Sequence, residues 1–205
     1  MKIDVKTENL LADETAKAAT GRTLAEWYDY LDQWGAKEKG RRETGVHLYH
    51  DLKLDTWWQS TITVEYENAR GIREKDGRLK GYNICVTKTI NAPVEKVYAA
   101  WTSGAELDRW FGVGNKAQVC EGGHFENADG NRGDFKRVRE NKDIRILWED
   151  PCCTPGSVAD ISVSPKGEKT YLLVNHDRIQ ARAEADGLRE AWGQALDRLK
   201  AVVEA

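Results

Sequence analysis

The sequence predicts an α+β chain: a small all-α bundle, then an antiparallel sheet of about seven strands, closed by a long C-terminal helix. Three observations predict it. Apolar residues recur at helical spacing up to residue 70, and beyond residue 81 they alternate with polar ones. The alternating segments follow one another with turn signals between them, which is the pattern of an antiparallel meander. The closing stretch then returns to helical spacing.

The elements follow in order. A first helix is expected over 8–19, ending at Gly21. Thr23 followed by Glu26 is a capping-box start, Leu24, Trp27, Tyr28, Leu31 and Trp34 form one stripe, and Gly35 is the stop. A third helix over 37–53 is weakened by Gly40 and Gly45. Asp55 caps a fourth, with a stripe of Trp58, Ile62, Tyr66 and Ala69. The stretch "RGIREKDGRLKG" (70–81) has few apolar residues and three glycines. It reads as a linker over 72–81, between a helical domain at 1–71 and a second domain at 82–205.

In "YNICVTKTI" Tyr82, Ile84, Val86 and Ile90 alternate with polar residues, so one face of the strand is buried. Further strands are expected at 116–120, 123–127, 132–139, 144–149, 157–163 and 169–176, with "ADGN" and "SPKGE" as hairpin turns. Two short helices interrupt after the first strand. Pro93 opens one, with Val94, Val97, Tyr98 and Trp101 as its stripe. Ser103 and Glu106 form a capping box for the other, which carries Leu107, Trp110 and Phe111. The closing helix places Leu188, Trp192, Leu196, Leu199 and Val203 on one face.

Gly112, Gly114 and Ala117 fall on the G-x-G-x-x-A spacing of a dinucleotide loop. That loop needs a strand before it and a helix after it. Here a helix precedes and a broken strand follows, so the glycines read as a turn from helix into strand.

Composition excludes several functions. The chain has 31 basic and 34 acidic residues, a net charge of −3, and so no global field favouring nucleic acid or an anionic membrane. The basic run Lys136, Arg137, Arg139, Lys142 and Arg145 alternates along strands like a solvated face, diluted by Asp134, Glu140 and Asp143. No apolar run approaches a signal core or a membrane span. The cysteines at 85, 120, 152 and 153 match no zinc or redox spacing, and read as reduced thiols of a cytoplasmic protein. Cys120 and His124 are two ligands short of a zinc site, and His47 with His50 reads as helix surface. No metal or cofactor is expected.

Three segments carry a family likeness. "INAPVEKVYAAWTSGAELDRWFG" resembles the opening of START-like (SRPBCC) proteins, specifically those similar to the C-terminal domain of the activator of heat-shock-protein-90 ATPase. "EGGHF" (121–125) looks like their Gly-Gly-x-Phe strand, and "WGQALDRLKAVVE" (192–204) looks like their closing helix. The resemblance spans roughly 82–205. It implies a helix-grip fold: a curved sheet wrapped around the C-terminal helix, with a cavity between. "TGRTLAEW" and "STITVEYENARG" are similar to a small helical domain found attached to such proteins.

A helix-grip cavity suits a hydrophobic or amphipathic small molecule. Candidate walls are Trp110, Phe111, Phe125, Trp148, His176 and Trp192, each of which serves equally as plain core. His176 shares parity with Leu172 and Val174, and at a strand end it would act as donor or general base. Glu149 with Asp150, and Asp129 with Asp134, sit in turns or at strand ends, and Asp160 points to solvent. No nucleophile–base–orienter set is visible. Three functions remain. The leading one is non-catalytic ligand binding. The others are a protein-interaction or chaperone-activating role, with a partner met through the helical bundle, and a cyclase- or hydrolase-type enzyme using His176.

Overall fold

The computed structural model describes residues 1–5 and 11–205. The start of the first expected helix, residues 8–10, lies outside them. Among the described residues the chain divides into two compact units. One runs to Tyr82; the other holds residues 1–5 together with Asn83–Ala205.

The first unit contains α1 (Asp13–Thr20), α2 (Leu24–Trp34), α3 (Ala36–Val46) and α4 (Thr56–Ala69). Thr23 and Glu26 close the capping box in both directions, and the Asp55 carboxylate accepts from the amides of Trp57 and Trp58. Trp27, Leu31, Leu48, Trp58, Ile62 and Tyr66 meet in its core. The single helix expected over 37–53 does not form. Gly40 adopts φ 81° and ψ 170°, which breaks α3, and His47–Asp51 winds into one π-helical turn.

The segment 72–81 has partners within this unit. Arg73 bridges to Leu79, and the Arg41 guanidinium donates to the Gly81 carbonyl at 3.0 Å. The buried Glu67 carboxylate accepts from Arg41 Nε at 2.7 Å and from Lys80 Nζ at 3.1 Å. A charge so buried is tolerable because two cations hold it.

The second unit is a seven-stranded sheet in the order β1-β7-β6-β5-β4-β3-β2. Its strands are β1 (Tyr82–Ile90), β2 (Lys116–Ala117), β3 (His124–Glu126), β4 (Arg132–Arg139), β5 (Asp143–Glu149), β6 (Ser157–Lys166) and β7 (Lys169–Ile179). Successive strands from β2 to β7 pair antiparallel. Two short helices, α5 (Val94–Ala99) and α6 (Gly104–Asp108), follow β1, and α7 (Arg182–Glu204) closes the chain. This is the helix-grip architecture. The "SPKGE" turn is shorter than expected, because β6 continues through Lys166 and only Gly167 and Glu168 make the connection.

Register decides which strand face is buried. Phe135 opposes Ile146, Gly133 opposes Trp148, and Ala159 opposes His176, so these residues share one face with Ile144, Leu172 and Val174. The stripe of α7, Leu188, Trp192, Leu196, Leu199 and Val203, is buried; Trp192 meets Trp148 of β5 and His176 of β7 on that face. Gly133 is required where it stands: a Cβ would collide with the Leu147 carbonyl and the Ile146 side chain, and press on the Phe125 ring.

Candidate functional site

The site grows from the segment that leads from α5 through α6 towards β2. The Ser103 hydroxyl accepts from the Glu106 amide and starts α6, while Glu106 pairs with Arg109 instead of completing a capping box. α6 lasts five residues, and the Phe111 amide then reaches back to the Leu107 carbonyl at 2.8 Å. Trp110 and Phe111 are thereby turned inward, 1% and 3% exposed. Two bonds fix that turn. Trp110 Nε1 donates to the Ala100 carbonyl at 2.9 Å, and Arg198 Nε of α7 donates to the Trp110 carbonyl at 2.8 Å.

All six candidate residues join one aromatic cluster. Phe111 is the hub, with ring centroids 5.3 Å from Trp110, 6.2 Å from Phe125, 6.2 Å from Trp148 and 5.8 Å from Trp192. Trp148 lies 5.5 Å from His176 and 5.5 Å from Trp192. Such edge and tilted contacts are the favoured geometry for aromatic rings.

Within this cluster a small apolar cavity of about 20 Å³ is lined by Trp101, Leu107, Phe111, Phe125, Phe135, Ile144, Ile146 and Trp192. That volume holds about one water molecule. Phe111, Phe125 and Trp192 therefore line it, whereas Trp110, Trp148 and His176 stand one layer behind. Trp101 and Phe135 complete the lining. Both were legible as buried positions, Trp101 by its helical stripe and Phe135 by alternation with Asp134 and Lys136, but their place in a cavity depends on register.

His176 is fully buried, and desolvation pulls its pKa down from 6.5 to about 3. An indole N–H only donates, so the Trp192 Nε1 contact at 3.1 Å makes Nδ1 the acceptor. The proton of the neutral ring then sits on Nε2, which donates to Ser157 Oγ at 2.9 Å. Both nitrogens are engaged. His176 anchors Trp192 to the sheet and has no nitrogen left for base chemistry.

A family model described as Activator of Hsp90 ATPase homolog 1-like protein matches residues 91–204, more than half of the chain. The chain belongs to this family. No curated protein matches it. Among solved structures it is similar to the crystal structure of CalU16 from Micromonospora echinospora, with 26% identity and a TM-score of 0.54, covering 59% of this chain and 75% of that one. The solution structure of the Aha1 dimer from Colwellia psychrerythraea shares the fold at 19% identity and TM-score 0.54, covering 60% of this chain and 96% of that one. DynU16, from the dynemicin biosynthetic locus, shares it at 21% identity and TM-score 0.52, covering 60% and 47%.

Elsewhere in the Activator of Hsp90 ATPase homolog 1-like unit, the charged residues of β4 to β6 are ion-paired with one another. Asp143 accepts from Arg137 Nε at 2.7 Å and Arg139 Nε at 3.0 Å, and these cations hold its carboxyl below the usual range. Asp160 pairs with Arg137 and Arg145. The basic run is thus largely neutralised by the same sheet face. Gly112 and Gly114 make the turn after α6, Gly114 at φ 70°, with Asn115 bonded back to Asp108. All four cysteines are free, and burial pushes the Cys153 thiol to about 12.

The helical unit holds one arrangement that sequence reading missed. His47 Nδ1 lies 2.7 Å from Asp51, its Nε2 lies 2.7 Å from the Tyr30 hydroxyl, and Trp34 stacks on its ring at 4.3 Å. This chain of contacts ties α2 to the π-helical turn. The i, i+4 spacing of His47 and Asp51 was the available signal; the tyrosine was not, because it lies 17 residues away.

Proposed function

We propose that the helix-grip unit binds one hydrophobic or amphipathic small molecule, without catalysis, in the cavity between the sheet, α6 and α7. The observation that carries this reading is the lining itself: eight largely apolar side chains from the sheet, α6, α7 and the turns on either side of α6 surround one void. The void is far smaller than the roughly 300–1,000 Å³ of an organic-ligand site. Binding therefore requires the cavity to widen, and α6 is the element suited to yield. It is five residues long and contributes Leu107 to the lining. Against catalysis stands His176, with both nitrogens committed and no carboxylate bonded to it.

Native mass spectrometry of the freshly purified protein, followed by denaturing release, is the direct test. A stoichiometric small-molecule adduct is expected. Ile146→Phe fills the cavity at an overpacking cost of about 1–3 kcal/mol. It should eliminate the adduct in a protein that still unfolds cooperatively. An adduct surviving in that variant places the ligand elsewhere.

A second reading concerns the helical unit, as a docking module for a protein partner. It is favoured by Val46 and Tyr49, which are 51% and 46% exposed on adjacent helical turns. Replacing both with serine should abolish capture of such a partner; unchanged capture removes this face from consideration.

A further inference from the structure

The helical unit holds a phenol, a base and an orienting carboxylate in hydrogen-bonded sequence. Asp51 is 66% exposed, and an ionised carboxylate only accepts, so His47 Nδ1, 2.7 Å away, carries the ring proton. His47 Nε2 is then an acceptor, and the Tyr30 hydroxyl donates to it at 2.7 Å. Both separations lie in the range over which a positioned base takes a proton. Aromatic rings continue the contact. Trp34 stacks on the imidazole with centroids 4.3 Å apart, the Tyr30 ring lies 6.0 Å from it and nearly parallel, and Trp27 meets Tyr30 edge-on at 5.7 Å.

Charge placement separates Tyr30 from these neighbours. One-electron oxidation of an indole first gives a radical cation, which a cation above the ring opposes. Lys39 Nζ lies 3.8 Å from the Trp34 centroid, and the Arg22 guanidinium carbon lies 4.8 Å from that of Trp27. The attraction that favours both pairs turns to repulsion once the ring is positive. Arg22 also lies 4.4 Å over Tyr30. A phenol that releases its proton together with its electron ends neutral, and escapes that repulsion. Other phenols of the unit face poorer bases. Tyr66 donates to Asp32 and Tyr82 to Glu65, and a carboxylate is a weaker base than an imidazole. Arg70 weakens Asp32 further, holding its carboxyl below the usual range.

We infer that Tyr30 is a redox-active residue: a one-electron oxidant acting on the helical unit draws its electron from Tyr30 while the phenolic proton crosses to His47 Nε2. The O–H bond breaks, an N–H bond forms, and the electron goes to the oxidant. Tyr30 becomes a neutral phenoxyl radical, and His47 becomes an imidazolium paired with Asp51. A one-electron reductant reverses each change. The partner is an outer-sphere oxidant or a free radical, which needs no binding pocket and meets the unit at Tyr30 or Trp34, both half-buried. This site depends on neither the ligand-binding nor the docking reading.

Photogenerated tris(bipyridine)ruthenium(III), applied to the full chain, tests this. The radical is captured with a nitroso spin trap and located by peptide mapping. Exposure alone would put the adduct on Tyr49, which is 46% exposed; it is expected on Tyr30. Oxidation should slow in heavy water, because the proton moves with the electron. His47→Gln should slow Tyr30 oxidation by roughly 100-fold, the lower end of what a positioned base contributes. Tyr30→Phe should remove the tyrosyl signal from electron paramagnetic resonance. Trapping mainly at Tyr49, Trp34 or Trp27 in the wild type overturns the assignment, and so does a rate unchanged by heavy water or by His47→Gln. Mapping and the isotope measurement use the wild-type chain, so they decide the question even where a variant does not fold.

Discussion

At the scale of single residues, His176 shows how burial chooses a role. In water an imidazole titrates near neutrality and is available for proton transfer. Here the fold removes all of its solvent and both of its free nitrogens. A depressed pKa has a thermodynamic consequence of definite sign. Below pH 6.5 the unfolded chain takes up a proton that the folded chain refuses until about pH 3. This residue's contribution is therefore intact above pH 6.5 and is lost as pH falls from 6.5 towards 3, by up to about 1.4 kcal/mol per pH unit. Denaturant titrations of wild type and His176→Gln across that range should differ in slope by about one proton; parallel curves would show that the ring is charged in the fold. Trp192 depends on the same contact. Trp192→Ala is expected to cost about 3–5 kcal/mol, because a fully buried indole is replaced by a void. Truncations here test the core before they test any ligand.

At the scale of elements, α7 carries two glycines with opposite meanings. Glycine inside a helix ordinarily costs about 1 kcal/mol relative to alanine. Gly193 has nothing within 4 Å of where a Cβ would stand, so Gly193→Ala should stabilise the unit by about 0.5–1 kcal/mol. At Gly187 a Cβ would collide with the Asp4 carbonyl, because the first residues of the chain cross the helix there. Gly187→Ala should destabilise despite its better helix propensity. Thermal unfolding of the two variants should give shifts of opposite sign, and equal shifts would mean the crossing is loose. The glycine-spaced turn after α6 belongs to the same level. Its glycines serve close packing too, since a Cβ on Gly112 would strike the Asp129 carboxylate and the Met1 nitrogen.

At the scale of the whole molecule, the chain does not divide at a single point. Residues 1–5 belong with Asn83–Ala205, although the helical unit separates them in sequence. Met1 is 1% exposed, and its ammonium group sits 2.7 Å from Asp129, with desolvation lowering its pKa. Burying a methionine side chain stabilises by roughly 1.5–3 kcal/mol. Removing residues 1–5 should therefore lower the stability of the sheet unit by about that amount, although the family match begins only at residue 91. Hydrogen exchange should show the loss in α7 and around Gly112, with α1 to α4 unaffected. Identical exchange with and without the segment would mean that it merely lies on the surface.

Periodicity made most of the fold legible. The alternation in β1 and in β4 to β7, the stripe of α7 and the Thr23 cap are local consequences of side-chain geometry, and the structure holds them where the residues put them. The break of α3 was half visible: Gly40 marked a weakness, but only its positive φ turned that weakness into a kink. The aromatic residues of the site were legible as apolar, and their assembly around Phe111 was not. Alternation says that Phe125, Phe135, Trp148 and His176 each face one side of a strand; it does not say which sides coincide. Register supplied that, by setting Gly133 against Trp148 and Ala159 against His176. The sequence alone thus determined the elements, their order and the family, because these follow from short-range patterns along the chain. Only the tertiary structure decided that His176 is neutral and committed, that three of the six candidate residues line the cavity while the other three stand behind them, and that among the described residues the Trp101 indole nitrogen has no partner. Those properties depend on desolvation and on distances between residues far apart in the chain, and no local pattern encodes them.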